Sequence, residues 1–177
     1  MKVVLHICCG VCAAGAAQVL LSEGHEVIGY FYNPNIFPAE EYQRRLAASQ
    51  QAASNLGFRL VEGPYEPSDW YNVAAPFAKE PEGGRRCEVC YRLRLQQTFH
   101  YTVECGAGLF TTTLTISPHK SALLINRIGQ EVGDDKFLSR NFKKKEGFKK
   151  ATELAQKWGL YRQNYCGCEY SLRWVPG

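Results

Sequence analysis

The sequence predicts an α/β protein in which helices cover both sides of a parallel sheet. Strand-like runs alternate with longer helical stretches, turn residues separate them, and no internal repeat or low-complexity linker interrupts the series. A chain of 177 residues is about the size of one domain, so we expect a single domain over 1–177. Hydrophobic residues make up 45% and charged residues 21%, which is typical of globular proteins and argues against a disordered or fibrous chain.

The first part of the chain alternates strand and helix in order. A short β-branched run predicts a strand over 3–7, and a helical stretch over 13–23 ends at Gly24. Residues 26–32 predict a second buried strand, which Asn33-Pro34-Asn35 ends. The cysteines between the first strand and helix therefore lie in a turn.

The middle of the chain continues the alternation and then departs from it. A helix is predicted over 40–56, with Gly57 at its end, and a third strand over 59–61. Residues 62–86 are rich in proline, glycine and glutamate, and we expect them to form an irregular excursion over one face of the sheet that leads into the cysteines at 87 and 90.

The last part predicts one more strand and three more helices. The helices are expected at 90–105, 119–132 and 146–158, and a buried strand at 109–114. Strands separated by helices predict parallel pairing, and ligands of such sheets bind beyond the carboxyl ends of the strands. The first group of cysteines follows the first strand directly, so the sequence places thiols where this fold holds its site.

Eight cysteines stand beside a single methionine, and they fall into three groups. A core of this size does not need disulfide staples, so the thiols require another explanation. Four thiolates are the usual ligands of a zinc ion or an iron–sulfur cluster. Cys105 is expected to be buried packing. The three groups are Cys8-Cys9-Gly10-Val11-Cys12, Cys87-Glu88-Val89-Cys90 and Cys166-Gly167-Cys168.

The first group suits iron–sulfur chemistry better than zinc. Cys8 and Cys9 are poor disulfide partners because a bond between neighbours strains the peptide. At a strand end their side chains are expected to diverge, which a four-iron cluster accepts more readily than a tetrahedral zinc ion does; the alternative is that one of them is simply a small buried hydrophobe. Cys12 opens the next helix, whose dipole favours a thiolate. It is expected to be a ligand of a second metal or a substrate-facing thiol.

The other two groups have different chemistry. Cys87 and Cys90 have the spacing of a metal clip, although this signal is also common in redox proteins, and the Gly-Gly-Arg-Arg before them predicts a lowered thiol pKa. A disulfide across Gly167 would be strained and readily reduced. Cys166 and Cys168 therefore suit an electron relay, with a second set of metal ligands as the alternative.

Basic residues concentrate in one short segment. Between Arg140 and Lys150 there are six basic residues against one acid, Glu146, so the segment carries +5 in a chain with a net charge of +4. Two phenylalanines are interleaved with them. This pattern suits a phosphate-rich partner such as RNA, and a solvated helix face is the alternative interpretation.

The amino-terminal 21 residues only loosely imitate a signal peptide. Their basic region is one lysine, and His6 and three thiols interrupt the apolar run. No apolar run in the sequence approaches the roughly 18 residues that a membrane span requires. We therefore expect a cytoplasmic protein with reduced thiols and no membrane partner.

Short motifs along nearly the whole chain resemble the QueH-type epoxyqueuosine reductases. Each motif is weak by itself, but their number and order carry the resemblance. The family usually has Ala-Pro where Gly10-Val11 stands in this sequence. The matching motifs are His6-Ile7-Cys8-Cys9 with Cys12, Tyr32-Asn33-Pro34-Asn35-Ile36 with Glu41-Tyr42, Arg86-Cys87 with Cys90-Tyr91 and Arg94-Leu95, Thr111-Thr112-Thr113-Leu114, Ser117-Pro118-His119-Lys120, Phe142-Lys143-Lys144, and Tyr161-Arg162-Gln163 with Tyr165-Cys166-Gly167-Cys168.

The resemblance implies a cobalamin-independent reductase that converts the epoxide of epoxyqueuosine at the tRNA wobble position to the cyclopentene of queuosine, the last step of that modification. It also implies a fold similar to the adenine-nucleotide hydrolase-like (HUP-like) α/β proteins, although the Ser-Gly-Gly phosphate loop of their ATP-using members is absent from this sequence. A [4Fe-4S] cluster, a possible additional mononuclear iron, the anticodon loop of tRNA and an unidentified electron donor are its implied cofactors and partners.

The residues that the resemblance implies can be named in this sequence. The cluster ligands are Cys8, Cys9, Cys87 and Cys90, and the redox-active pair is Cys166 with Cys168. Candidates for the separate iron are Cys12, Cys166, Cys168 and Asp69. Lys143, Lys144 and Lys145 are expected to bind anticodon phosphates, and Tyr32, Trp70 or His119 to stack on a splayed-out base.

Three other functions remain open from the sequence. A non-catalytic zinc protein that binds RNA would leave several thiols idle, and its purified form would be colourless rather than brown. A tRNA sulfur transferase on a related fold would need the glycine-rich phosphate loop. A simple thiol–disulfide oxidoreductase would explain Cys166 and Cys168 but not the other five clustered thiols.

Overall fold

A computed structural model describes residues 1–172 and shows a four-stranded, wholly parallel sheet between two layers of helices. The strand order is β3-β2-β1-β4. The strands are β1 (Lys2–His6), β2 (Glu26–Phe31), β3 (Arg59–Glu62) and β4 (Leu109–Thr112). The helices are α1 (Gly10–Ser22), α2 (Ala39–Leu56), α3 (Pro67–Ala74), α4 (Arg85–Glu104), α5 (Ala122–Gly133), α6 (Gly147–Lys157) and the short α7 (Glu169–Leu172). The predicted fold class is confirmed, and the single domain over 1–177 stays a prediction.

Strand β1 lies inside the sheet and is buried on both faces. Val3 and Leu5 pack into the core that α1, α2 and α6 cover, whereas Val4 packs into the core that α4 and α5 cover. This alternation is the period of two that a strand imposes on its side chains. His6 pairs in register with Tyr30 of β2 and Thr112 of β4, so three strands end at one level.

Several predicted boundaries are wrong because capping extends or delays the helices. Helix α1 begins at Gly10 rather than at 13, since the Cys9 sulfur caps its first turn. Helix α4 begins at Arg85 rather than at 90, after Gly83 turns the chain at φ +87°. Cys87, which the prediction left outside the helix, therefore lies on the same helix as Cys90.

Helices also replace part of what was expected to be irregular or strand. Residues 67–77 form α3 and a 3-10 turn, with Pro67 at the first helical position. Strand β4 ends at Thr112 rather than at 114. The Thr112 hydroxyl accepts a hydrogen bond from Leu114 N, and this bond caps a 3-10 turn that replaces the end of the predicted strand. Between residues 1 and 172, no helix combines the length and apolar character needed to cross a bilayer.

Candidate functional site

Three thiols meet in the turn between β1 and α1. The sulfurs of Cys8, Cys9 and Cys12 all lie within 4.8 Å of one another, a group that could hold a metal ion. The expected divergence of Cys8 and Cys9 is wrong, since their sulfurs are 3.9 Å apart. The Cys9 sulfur turns back because it accepts a hydrogen bond from Cys12 N at 3.4 Å. The capping geometry of α1 therefore gathers these thiols at one point.

Within this triad the thiolate belongs on Cys8. Hydrogen bonds from Cys12 and Cys9 lower the pKa of Cys8 well below its usual value, and Thr113 and Lys120 act in the same direction. The pKa of Cys12 is raised well above the usual range, first by its hydrogen bond with Cys8 and then by Cys9 and by burial. The expectation that the helix dipole makes Cys12 the favoured thiolate is therefore not met, because the neighbouring thiols outweigh the dipole.

The second pair of thiols lies in the first turns of α4. Cys87 and Cys90 are buried, and the Cys87 sulfur accepts a hydrogen bond from Gly83 N at 3.2 Å. Burial raises the pKa of Cys87 and raises that of Cys90 to about 11. The predicted lowering of these pKa values is wrong. Arg86 is itself buried and donates to the carbonyls of residues 78 and 80, and its guanidinium lies over the Tyr170 ring.

The two thiols of the carboxyl-terminal pair face different surroundings. Cys166 is half-buried and lines a cavity, whereas Cys168 is buried against Trp70, Ala74 and Cys90. All eight cysteines lie within the described residues and carry free thiols. The structure therefore joins the second and third cysteine groups through Cys168 and Cys90.

A cavity of about 670 Å³ opens at this edge of the sheet. Cys8, Cys12 and Cys166 face it, so two of the three cysteine groups share one space. Its wall is strongly basic, and it is large enough for a small ligand. The basic residues that line it are Arg45, Arg94, His119, Lys120 and Arg162.

Arg94 and Lys120 bring positive charge to the thiols. Arg94 is 2% exposed and donates from Nε to Cys90 O, but its buried Nη2 has no hydrogen-bond partner among the described residues. The pKa of Lys120 is raised, first by the charge of Cys166 and also by that of Cys8. A buried guanidinium whose hydrogen bonds are incomplete is stabilised by nearby negative charge. These residues therefore fit a centre that holds several thiolates.

The sequence reasoning assigned no role to Arg94 or Lys120. Both belong to matching motifs, and the spacing of Arg94 four residues after Cys90 places the two on one face of a helix. That spacing was the signal for Arg94. The sequence spacing of Lys120 gives no comparable indication, because only the fold brings its loop beside Cys8 and Cys166.

His6 supports the site without joining the thiols. Its Nε2 donates to Tyr32 O and its Nδ1 accepts from the Thr112 hydroxyl, each at 3.0 Å. Burial lowers the pKa of His6 to about 4, so the ring is neutral. Both ring nitrogens are occupied, and the side chain ties the ends of β1 and β4 together.

Asp69 and the proposed stacking residues lie apart from this arrangement. Asp69 is exposed on α3 and, within residues 1–172, belongs neither to the thiol triad nor to the cavity lining. Tyr32 and Trp70 are only 3% and 1% exposed, so neither presents a face on which a base can stack. Of the three, His119 is exposed and lines the cavity.

The basic segment divides into anchored and exposed residues. Lys143 is half-buried, and its ammonium donates to Lys120 O. Lys144 and Lys145 are exposed on a 3-10 turn. Phe142 is buried, whereas Phe148 lines the cavity. Lys144 and Lys145 are therefore exposed and lie a few residues before the cavity-lining Phe148 in the sequence. Lys143 instead anchors the loop that carries Lys120.

Comparisons with known proteins agree with the geometry. The chain is 36% identical over 181 residues to epoxyqueuosine reductase QueH of Streptococcus pyogenes serotype M1, covering 97% of this chain and 71% of that protein. It is 33% identical to QueH of Thermotoga maritima, covering 96% and 90% respectively.

A solved structure of NMN synthetase from Francisella tularensis is similar in fold, with a TM-score of 0.52 and 14% identity. The alignment covers 89% of this chain and 62% of that one, so the likeness supports the α/β fold with a parallel sheet and nothing more. Residues 3–174 match the family model described as epoxyqueuosine reductase QueH. The chain belongs to the epoxyqueuosine reductase QueH family.

Proposed function

We propose that this protein reduces the epoxide of epoxyqueuosine at the tRNA wobble position to the cyclopentene of queuosine, without cobalamin and in the cytoplasm. Membership of the family supports the reaction. The observation that carries the proposal for this chain is the basic cavity of about 670 Å³, which is faced by Cys8, Cys12 and Cys166 at the carboxyl edge of the sheet.

The proposed cofactor is a [4Fe-4S] cluster, which is supported by the thiol triad and by the further thiols of α4. Cys8, Cys9, Cys87 and Cys90 would hold it, and Cys12 is then the first candidate ligand of a separate iron. When bound, such a cluster supplies electrons one at a time. The orphaned Nη2 of buried Arg94 supports this assignment, because a four-thiolate centre supplies the missing negative charge.

The electron balance gives Cys166 and Cys168 a defined role. Removal of the epoxide oxygen consumes two electrons and two protons, and it leaves an alkene and one water molecule. Oxidation of two thiols to a disulfide releases the same two electrons and two protons. Both thiols are free in the structure, and Cys166 faces the cavity. An electron donor, still unidentified, then returns the pair to the dithiol state.

Lys120 is positioned to assist the departing oxygen. It lines the cavity together with Cys8 and Cys166, and its pKa is raised by these neighbouring groups. A fixed positive charge in a partly buried cavity stabilises negative charge as it develops on oxygen. In this proposal Lys120 donates a hydrogen bond to that oxygen.

The test is anaerobic reconstitution with iron and sulfide, followed by assay on tRNA that carries epoxyqueuosine. We expect a brown protein with absorbance near about 400 nm that forms queuosine. A double Cys166→Ser, Cys168→Ser variant should keep its iron and lose turnover. Cys105→Ser is the matched control, because that half-buried thiol only donates to Thr102 O. Retained turnover in the double variant rules out the relay.

The exposed Lys144 and Lys145, which precede the cavity-lining Phe148 in the chain, are proposed to bind anticodon phosphates. Charge reversal at Lys144 and Lys145 should weaken tRNA binding and reduce its dependence on salt, because two phosphate contacts are lost. Lys157, which is exposed at the far end of α6, about 15 Å along the helix axis, is the control. Equal affinity of the Lys144→Glu, Lys145→Glu variant and the control would remove these residues from the interface.

A further inference from the structure

Arg45 of α2 grips the chain beside Cys166. Its Nη1 donates to Cys166 O at 2.8 Å and its Nη2 donates to Tyr165 O at 2.9 Å. The guanidinium carbon also lies 5.1 Å from the centre of the Tyr165 ring. One rigid fork therefore fixes two consecutive carbonyl groups at a point 120 residues further along the chain.

The fork is itself held in place. Arg45 Nε donates to Glu41 Oε1 at 2.8 Å, and both side chains are 2–3% exposed. The other carboxylate oxygen of Glu41 accepts from the Tyr161 hydroxyl at 2.6 Å. The Nε, Nη1 and Nη2 atoms of Arg45 are therefore all hydrogen-bonded, and this fixes the guanidinium in one orientation.

The next two carbonyl groups of the same segment are also bound. Gly167 O accepts from Phe37 N at 2.8 Å, and Cys168 O accepts from Ser171 N at 3.0 Å. Gly167 has a φ of +131°, and a Cβ there would lie 2.9 Å from Arg45 Nη1. The glycine therefore allows both the turn and the close approach of the guanidinium.

This geometry supports a role for Arg45 beyond packing. Arg45 reaches the cavity wall, and its two carbonyl bonds lie at the residue whose thiol faces that cavity. No strand or long helix includes residues 158–168, so hydrogen bonds such as these hold the segment. Loss of the fork should release Cys166 and leave the thiols of the β1–α1 turn in place.

We propose that Arg45, oriented by Glu41, is a positioning residue that holds the Cys166 thiol at the cavity for the reduction step. The catalytic part of this inference rests on the proposed function, whereas the positioning part does not. Removal of Arg45 by itself would leave the buried Glu41 carboxylate with no cation among the described residues except the exposed Arg44, 3.7 Å away, which is strongly destabilising. The informative variant is therefore Glu41→Gln with Arg45→Met, which removes both charges and keeps the volume.

Two readouts on the reconstituted protein report the position of the segment directly. One is the rate at which iodoacetamide alkylates Cys166, measured by peptide mass spectrometry. The other is hydrogen exchange of the Phe37 amide, which Gly167 O protects. We expect both to rise about tenfold or more in the double variant, because two charge-assisted hydrogen bonds are lost. Arg45→Lys should give a smaller increase, since an ammonium cannot reproduce the fork.

Arg44→Met is the matched control. Arg44 precedes Arg45 on α2, is 61% exposed and lies 3.7 Å from Glu41, whereas the bonds to the carbonyl groups of Tyr165 and Cys166 come from Arg45. It should keep wild-type alkylation and exchange. In turnover of epoxyqueuosine tRNA, the double variant should change kcat more than KM, because it displaces Cys166 and leaves Lys144 and Lys145 in place.

The outcomes separate the two parts of the inference. Unchanged alkylation and exchange in a folded double variant overturns the positioning role. Raised alkylation with an unchanged kcat overturns its importance for reduction. If the wild-type protein does not reduce epoxyqueuosine tRNA, the proposed function fails, yet alkylation and exchange still decide whether Arg45 holds Cys166.

Discussion

Gly10 is the residue at which a single methyl group should disturb the thiol triad. It is the first residue of α1, directly after Cys9, and it packs against α2. A Cβ at Gly10 would lie 2.7 Å from the backbone carbon, the carbonyl oxygen and the Cβ of Ala48. Backbone atoms cannot move aside as a side-chain end can. Gly10→Ala should therefore push the start of α1 away from α2.

The size of the effect follows from the distances. Ordinary contact begins at 3.4 Å, so relief of a 2.7 Å approach requires a shift of about 0.7 Å. Overpacking of this kind costs about 1–3 kcal/mol, and the better helix propensity of alanine returns up to about 1 kcal/mol. The expected loss in the free energy of unfolding is about 1–2 kcal/mol. The Cys9 and Cys12 sulfurs move with the helix start, so metal binding should weaken as well.

Two measurements test this reasoning together. Urea unfolding should show a midpoint lowered by roughly 0.5–1 M, and reconstitution should give less iron per chain than the wild type. The compensating variant Gly10→Ala, Ala48→Gly should recover part of both, because it removes one of the three close atoms. A Gly10→Ala protein with wild-type stability and full iron content refutes the account, since α1 would then not be fixed against α2.

Three further outcomes follow from other parts of the structure. The folded protein keeps His6 neutral with a pKa of about 4, so the free energy of unfolding should fall by about 3 kcal/mol as the pH drops from 6.5 to 4, and His6→Asn should remove that part of the decline in urea titrations. Cys9→Ala should cost about 1 kcal/mol through loss of the α1 cap, and Cys9→Ser should recover most of it in thermal unfolding. Arg86→Met should release the chain over 78–84 and speed its proteolysis, whereas Arg85→Met at an exposed position should not; equal cleavage of the two would contradict the anchoring role.

The fold could be predicted from the sequence because each element carries its own local signal. Strands over 3–7 and 26–32 and a helix over 40–56 were placed within a few residues of the observed ones. The errors lie where a cap decides the boundary. Nothing in the residue pattern indicated that the Cys9 sulfur would start α1, and the glycines at 83–84 indicated flexibility rather than the beginning of α4.

The site was predictable as a set of thiols but not as an electrostatic arrangement. Spacing identified seven cysteines, whereas their pKa values depend on mutual hydrogen bonds that only the folded chain defines. Lys120 shows the same limit. It lies over 100 residues from Cys8 and 46 from Cys166 in the sequence, and the register of β1 with β4 brings these residues to one edge.

The thiol triad and the Cys166 segment are held in place by different interactions, and we expect them to open at different concentrations of denaturant. The triad of Cys8, Cys9 and Cys12 stands on an internal strand and on a capped helix packed against two others. Cys166 has no such support, since side-chain bonds from Arg45 and a few backbone bonds hold its segment. Local opening starts where few buried apolar contacts hold the chain. Mild urea should therefore raise the alkylation of Cys166 before it releases iron from the triad, and simultaneous loss would show that the two halves open as one unit.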